Sequence, residues 1–120
     1  MEKPNVIREK SYSFSLNIIL FCMNVLMKQK KEYVLSKQLI KSGTSVGANV
    51  EEAVNAPTKK DFANKLSISL KEAYESRFWL SIIRDAKIVT EAEVRNLLIE
   101  VQEIIALLTS ILKTTRFSLE

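Results

Sequence analysis

Residues 35–53, LSKQLIKSGTSVGANVEEA, and residues 59–80, KKDFANKLSISLKEAYESRFWL, stand almost back to back and decide the fold. Both carry apolar residues at helical spacing, and the break between them falls at Pro57, which cannot continue a helix. Within the first string, Ser42, Gly43, Thr44, Ser45, Gly47, Ala48 and Asn49 fill a stretch where an ordinary surface helix would mix Leu with Lys and Glu. Gly costs about 1 kcal/mol against Ala in a helix interior, so Gly43 and Gly47 on one side predict a neighbouring helix packed close to the backbone.

On either side of this pair the pattern stays helical. Towards the N-terminus, Ser11 reads as an N-cap, Phe14, Ile18, Phe21 and Val25 recur at helical spacing, and Lys28-Gln29-Lys30-Lys31 closes the run. A second stripe of Ile19, Cys22, Met23 and Leu26 makes this helix apolar on more than one side, so something beyond its own bundle should cover it. Towards the C-terminus, Thr58 and Asp61 form a capping arrangement for the helix that carries Phe62, Leu66, Leu70, Ala73, Leu80 and Ile83. Thr90 and Glu93 make a capping box before a run in which Val94, Val101 and Leu108, then Leu97, Ile104 and Ile111, repeat every seven residues. The expected helices span about residues 11–30, 33–55, 59–86 and 91–117 of a single domain, 1–120. Short connections between them predict an all-α, up-down-up-down four-helix bundle.

Composition agrees. Two Gly and two Pro in 120 residues are too few turn formers for an all-β fold. The lone Cys22 cannot pair within the chain, which suits a reducing cytoplasm. The most apolar window, residues 18–27, is far short of the roughly 20 residues that span a bilayer, and no small-residue cleavage site follows it. A cytoplasmic protein with no membrane partner is the expectation. Net charge is +4, unevenly spread: residues 1–50 hold 8 Lys/Arg against 3 Asp/Glu, and residues 51–120 hold 10 against 11. Such a basic front suits nucleic acid, or an acidic face on a neighbouring subunit.

Enzyme chemistry finds no footing. The chain has no His, which removes the commonest general base and neutral metal ligand, and a di-iron bundle needs Glu-x-x-His pairs that Glu51, Glu52, Glu72 and Glu75 cannot complete. Ser110-Ile111-Leu112-Lys113 has S-x-x-K spacing without the accompanying S-D-N and K-T-G elements. Lys41-Ser42-Gly43 reverses the order a phosphate loop requires. No catalytic residue, cofactor or metal site is therefore expected. Asn49, Glu52, Lys71 and Glu75 fall beside buried stripes and read as a structural polar network that fixes helix register or a subunit contact. Phe78 and Trp79, beside Ile82, read as core or interface before base-stacking platforms. The functional candidates are Lys28, Lys30, Lys31, Lys37 and Lys41, a basic set whose natural partner is phosphate; the competing reading is a solvated face. Arg77, Arg95 and Arg116 are less clustered.

Lys37-Gln38-Leu39, the run from Ser42 to Ala53, Asp61-Phe62, Lys65-Leu66, Leu70 to Ala73, Glu75, Trp79-Leu80 and Ile111 to Thr114 together resemble one family. It comprises the four-helix-bundle proteins encoded in intervening sequences of bacterial 23S ribosomal RNA genes, a family similar to accessory variability proteins of diversity-generating retroelements. The resemblance implies a left-handed bundle assembling as a ring-like homopentamer, a role in nucleic-acid binding, and no established catalysis. The expected function is a non-enzymatic, oligomeric nucleic-acid-binding or scaffolding protein, its partners being itself and RNA or DNA. A protein–protein adaptor that touches no nucleic acid is the alternative.

Overall fold

The computed structural model describes the backbone of residues 2–119 and the side chains of residues 6–115. Four α-helices account for most of it: α1 Glu2–Phe21, α2 Tyr33–Val54, α3 Lys59–Asp85 and α4 Glu91–Leu119. No strand occurs among the described residues, and α1 runs directly into a π-helical turn, Cys22–Met27. Polar pairs fix the direction of each neighbour. Arg8 meets Glu51 while Ser15 meets Gly43, Ser76 meets Ser42 while Lys65 meets Glu52, and Lys10 meets Glu103 while Asn17 meets Glu100. Successive helices are thus antiparallel, and α4 returns to α1. Among the described residues α1 and α3, and likewise α2 and α4, have no close backbone approach, so they are the diagonals of a four-helix bundle measuring 48 × 21 × 20 Å.

The main expected stripes face inward, whereas the second stripe of α1 splits, Cys22 and Leu26 joining the core and Met23 staying exposed. Phe14, Ile18, Leu39, Val46, Leu66, Leu80, Val101 and Leu108 are fully buried. Each such side chain contributes about 1.5–3 kcal/mol by leaving water. Both glycines do what their spacing predicts. A Cβ on Gly43 would lie 2.6 Å from Cγ2 of Ile18, and one on Gly47 would lie 2.5 Å from Oγ of Ser15 and 3.0 Å from the Ser11 carbonyl oxygen. Only helices without side chains at these points can approach so closely. Ser15 exploits the gap: its hydroxyl donates to the Gly43 carbonyl at 2.9 Å and accepts from the Gly47 N–H at 3.1 Å.

The first helix differs from expectation. It starts at Glu2, so Ser11 is not an N-cap but an interior, buried residue whose hydroxyl donates to the Arg8 carbonyl. Pro4 is compatible with this early start, because the first turn of a helix has N–H groups without partners anyway. Ile7 in the core and the Arg8–Glu51 pair then hold the extra turns against α2. By length and composition alone, Val6–Met27 is apolar enough to cross a membrane, but its inner face, with Phe14, Ile18 and Leu26, belongs to the bundle core.

Chain reversals follow local chemistry. Thr58 accepts the Asp61 N–H at 3.1 Å, and the Thr90–Glu93 box closes in both directions at 2.8 and 3.2 Å. At the end of α3, Lys87 takes a left-handed conformation with φ 61, while Ile88 N–H donates to Ile83 and Lys87 N–H to Arg84. This is a Schellman ending built on Lys where Gly is usual. The π-helical turn ends similarly, with Lys31 at φ 59.

Candidate functional site

Helix α1, its π-helical extension and α2 meet at one end of the bundle, where Lys28, Lys30 and Lys31 sit, and the rest of the basic set follows along α2. Lys28, Lys30, Lys31, Lys37 and Lys41 are all exposed. The first three belong to the end of the π-helical turn and the connection after it. Lys37 lies on the opening turns of α2, and Lys41 follows about 6 Å further along the same face. Acidic neighbours temper two of them. The Lys30 ammonium is 4.0 Å from Oε1 of Glu93 on α4, and Lys41 lies close enough to Glu72 on α3 to help offset the rise in that carboxyl's pKa. Burial, then the Glu75 charge, pushes Glu72 above the usual carboxylate range, against the pull of Lys71 and Lys41. The α3–α4 connection shares this end and adds Arg84 and Lys87, together with Asp85 and Glu91, around an open cleft that also includes Lys30.

The other candidates fall differently. Asn49, Glu52, Lys71 and Glu75 are not bonded to one another among the described residues, and three of them have nearer partners. Asn49 donates to the Ser45 carbonyl at 2.8 Å, Glu52 pairs with Lys65 at 3.0 Å, and Glu75 accepts from the Trp79 indole at 3.3 Å. Lys71 is exposed beside Glu72. The physical reason is rotation about the helix axes: Asn49 and Glu52 reach their own helix and the start of α3, while Lys71 and Glu75 lie on the outward side of α3. Arg77 stacks 5.0 Å over the Tyr74 ring and donates to Gln102 at 2.8 Å. With Arg84 and Arg95 it lines a groove between α3 and α4, where Glu91 and Glu103 counter the charge. Arg116 lies outside the described side chains. Phe78 and Trp79 meet edge to face, centroids 5.2 Å apart, with Phe78 mostly in solvent.

Sequence reasoning missed two features. Five serines, Ser11, Ser36, Ser42, Ser69 and Ser76, are buried between helices. Their hydroxyls donate mainly to backbone carbonyls, as Ser69 does to Val46 at 2.8 Å, so burial leaves none unpaired. Ser69, Ala73, Ser76 and Leu80 share one helical face, and that spacing was the available signal. The second is Glu100 in the seam between α1 and α4. One oxygen accepts from Asn17 at 2.8 Å; the other, Oε2, is buried without a partner. Burial raises its pKa, the Asn17 bond opposes the rise, Glu103 adds to it and Lys10 reduces it. Only the packing of two helices distant in sequence creates this setting. Burial likewise pushes the Cys22 thiol up to about 11, against a lowering contact from Ser36, which marks it as a core residue.

Known proteins place the chain in a family. A crystal structure from Bacteroides thetaiotaomicron, described as a protein of unknown function from the S23 ribosomal protein family, is similar at 40% identity and a TM-score of 0.88. The match covers 92% of this chain and 98% of that one. No curated protein matches. The family described as 23S rRNA-intervening sequence protein matches residues 3–110, and the chain belongs to it.

Proposed function

We propose that this protein is a non-enzymatic, oligomeric nucleic-acid-binding scaffold of the cytoplasm, contacting phosphates through Lys28, Lys30, Lys31, Lys37 and Lys41. One observation supports the reading: the stretch from the π-helical turn into α2 exposes five lysines between residues 28 and 41. Exposed lysines attract phosphates without reading sequence, and binding releases counterions, so affinity falls steeply with salt. A left-handed bundle repeated in a ring-like homopentamer would present this set five times over, turning weak contacts into avidity. The family's description, tied to 23S rRNA, agrees with RNA as the partner.

A salt titration of the purified protein against fluorescent single-stranded and duplex RNA and DNA tests this, with mass by light scattering on the same sample. Replacing Lys30, Lys31, Lys37 and Lys41 by Glu should abolish binding and leave assembly intact. Unchanged binding would refute the site. Exposed apolar residues on α1 and α3 favour a second reading, a protein–protein adaptor whose lysines serve only solubility. An assembled wild type that binds no nucleic acid at low salt would support it.

A further inference from the structure

We propose that the groove between α3 and α4 docks an amphipathic helix of a partner protein, one that carries two carboxylates two turns apart with apolar residues between them. The groove lies across the bundle from the α1–α2 pair, so this proposal stands or falls separately from the lysine reading.

Short side chains make the trough and long ones its walls. Ser81 on α3 and Ala106 on α4 lie along a seam flanked by Arg77, Arg84, Arg95 and Gln102. Antiparallel packing sets the levels. Arg77 donates to Gln102 at 2.8 Å, so one turn along α3 Ser81 comes level with Leu98, and a further turn brings Arg84 level with Arg95. Arg77 and Arg95 therefore stand on opposite walls, about 10 Å apart along the groove. Between them lie Leu98, half-buried, and Ile99, 51% exposed.

Both arginines have charge to spare. Arg77 is held by neutral groups, the Gln102 side chain and the Tyr74 ring, while Arg95 takes part in no hydrogen bond or ion pair among the described residues. The nearby carboxylates are engaged elsewhere. Asp85, at 2.9 Å, and Glu91 attend Arg84, and Glu103 reaches Lys10 on α1 at 3.1 Å.

This spacing specifies the occupant. A helix lying along the groove has the same rise as its walls, so carboxylates at i and i+7 meet Arg77 and Arg95, each guanidinium presenting a planar fork to one carboxylate. Residues at i+3 and i+4 share that face and press on Leu98 and Ile99, which is helix-in-groove recognition with an ion pair at either end. Nucleic acid fits this groove less well. No aromatic side chain lines it among the described residues to stack a base, the nearby Tyr74 ring is covered by Arg77, and Glu91 and Glu103 on the rims repel a continuous phosphate chain.

The probe is a rhodamine-labelled, lactam-stapled, alanine-based peptide of about 15 residues, with Glu at two positions two turns apart and Leu at the two positions midway. Anisotropy titration with the full chain should show saturable binding. Affinity should fall about tenfold when both peptide Glu are replaced by Gln, and about tenfold with the Arg77→Glu, Arg95→Glu double variant. A peptide with Lys in the two acidic places should reverse the order and prefer the double variant. Lys37→Gln with Lys41→Gln should leave the peptide affinity within about twofold, whatever becomes of nucleic-acid binding. Wild type that binds the Glu and Gln peptides equally, a double variant that binds like wild type, or an equal loss from the lysine changes would overturn the proposal. So would a double variant that loses single-stranded RNA while neither chain binds the peptide, which would assign the groove to nucleic acid. Should the double variant unfold by circular dichroism, methyl resonances of wild type supply a second measurement. Leu98 and Ile99 should shift on adding the Glu peptide, and shifts confined to α1 and α2 would count against it.

Discussion

At the scale of single residues, Gly43 is the position where a Cβ would run into the buried core. Its hydrogen faces the fully buried Ile18, whose Cβ, Cγ1 and Cγ2 would all lie between 2.6 and 3.0 Å from an added Cβ. Gly43→Ala gains about 1 kcal/mol in helix propensity but forces an overlap of the kind that costs about 1–3 kcal/mol in a filled core. The substitution should therefore lower the urea midpoint, whereas Ala at an exposed helical position would raise it. Glu100 makes a different prediction. A carboxyl whose pKa is raised by folding favours the folded state fully only below its unfolded pKa, and that contribution is lost as pH rises through the folded value. At pH 7 the charge is thus a liability. Glu100→Gln, which keeps the acceptor for Asn17, should raise the melting temperature at pH 7. Solvent reaches this site, so the gain is held to about 0.5 kcal/mol or about 2 °C. The gap to wild type should close as pH falls to about 4, near the ordinary glutamate value. Gly43 announces its role in the sequence through its spacing from Gly47. Glu100 does not, because its environment comes from a helix some eighty residues away.

Among the elements, the beginnings of α3 and α4 were readable because a cap is local chemistry: Thr58 with Asp61, and Thr90 with Glu93, act within four residues. Thr90→Ala should destabilise the protein by about 1 kcal/mol, seen as a shift in the denaturation midpoint with unchanged slope. Lys87→Gly should act the other way, by several tenths of a kcal/mol, since Gly takes the left-handed ending of α3 without steric cost. The start of α1 was misread for the opposite reason. Ser11 has the right side chain for a cap, yet a serine can equally bond a carbonyl in its own preceding turn, and here the turns before it are held by Ile7 and Arg8 against other helices. The π-helical turn at Cys22–Met27 also left no mark that apolar periodicity could reveal. Its widened hydrogen bonds run from Lys28 to Met23 and from Lys30 to Val25, and they set where the lysine set begins.

For the whole molecule, the proposed nucleic-acid binding makes a prediction for salt dependence. On the proposed reading, a single strand that engages the five candidate lysines of one copy gives a log–log salt slope of about −3.5. A steeper slope in the salt titration would mean that contacts beyond this set take part, and a slope near zero would count against phosphate contact. What the amino-acid order settled is everything carried by period and proximity: four helices, their apolar faces, the close approach at Gly43 and Gly47, and the basic set from Lys28 to Lys41. Those features depend on 3.6-residue repetition and on side chains a turn or two apart. Tertiary structure alone decided which helices lie on the diagonal, that Asn49, Glu52 and Glu75 meet separate partners, and that five serines are buried. Each of these turns on how helices rotate and align when packed, because a few tens of degrees about a helix axis decides whether a side chain meets the core, a neighbour or water.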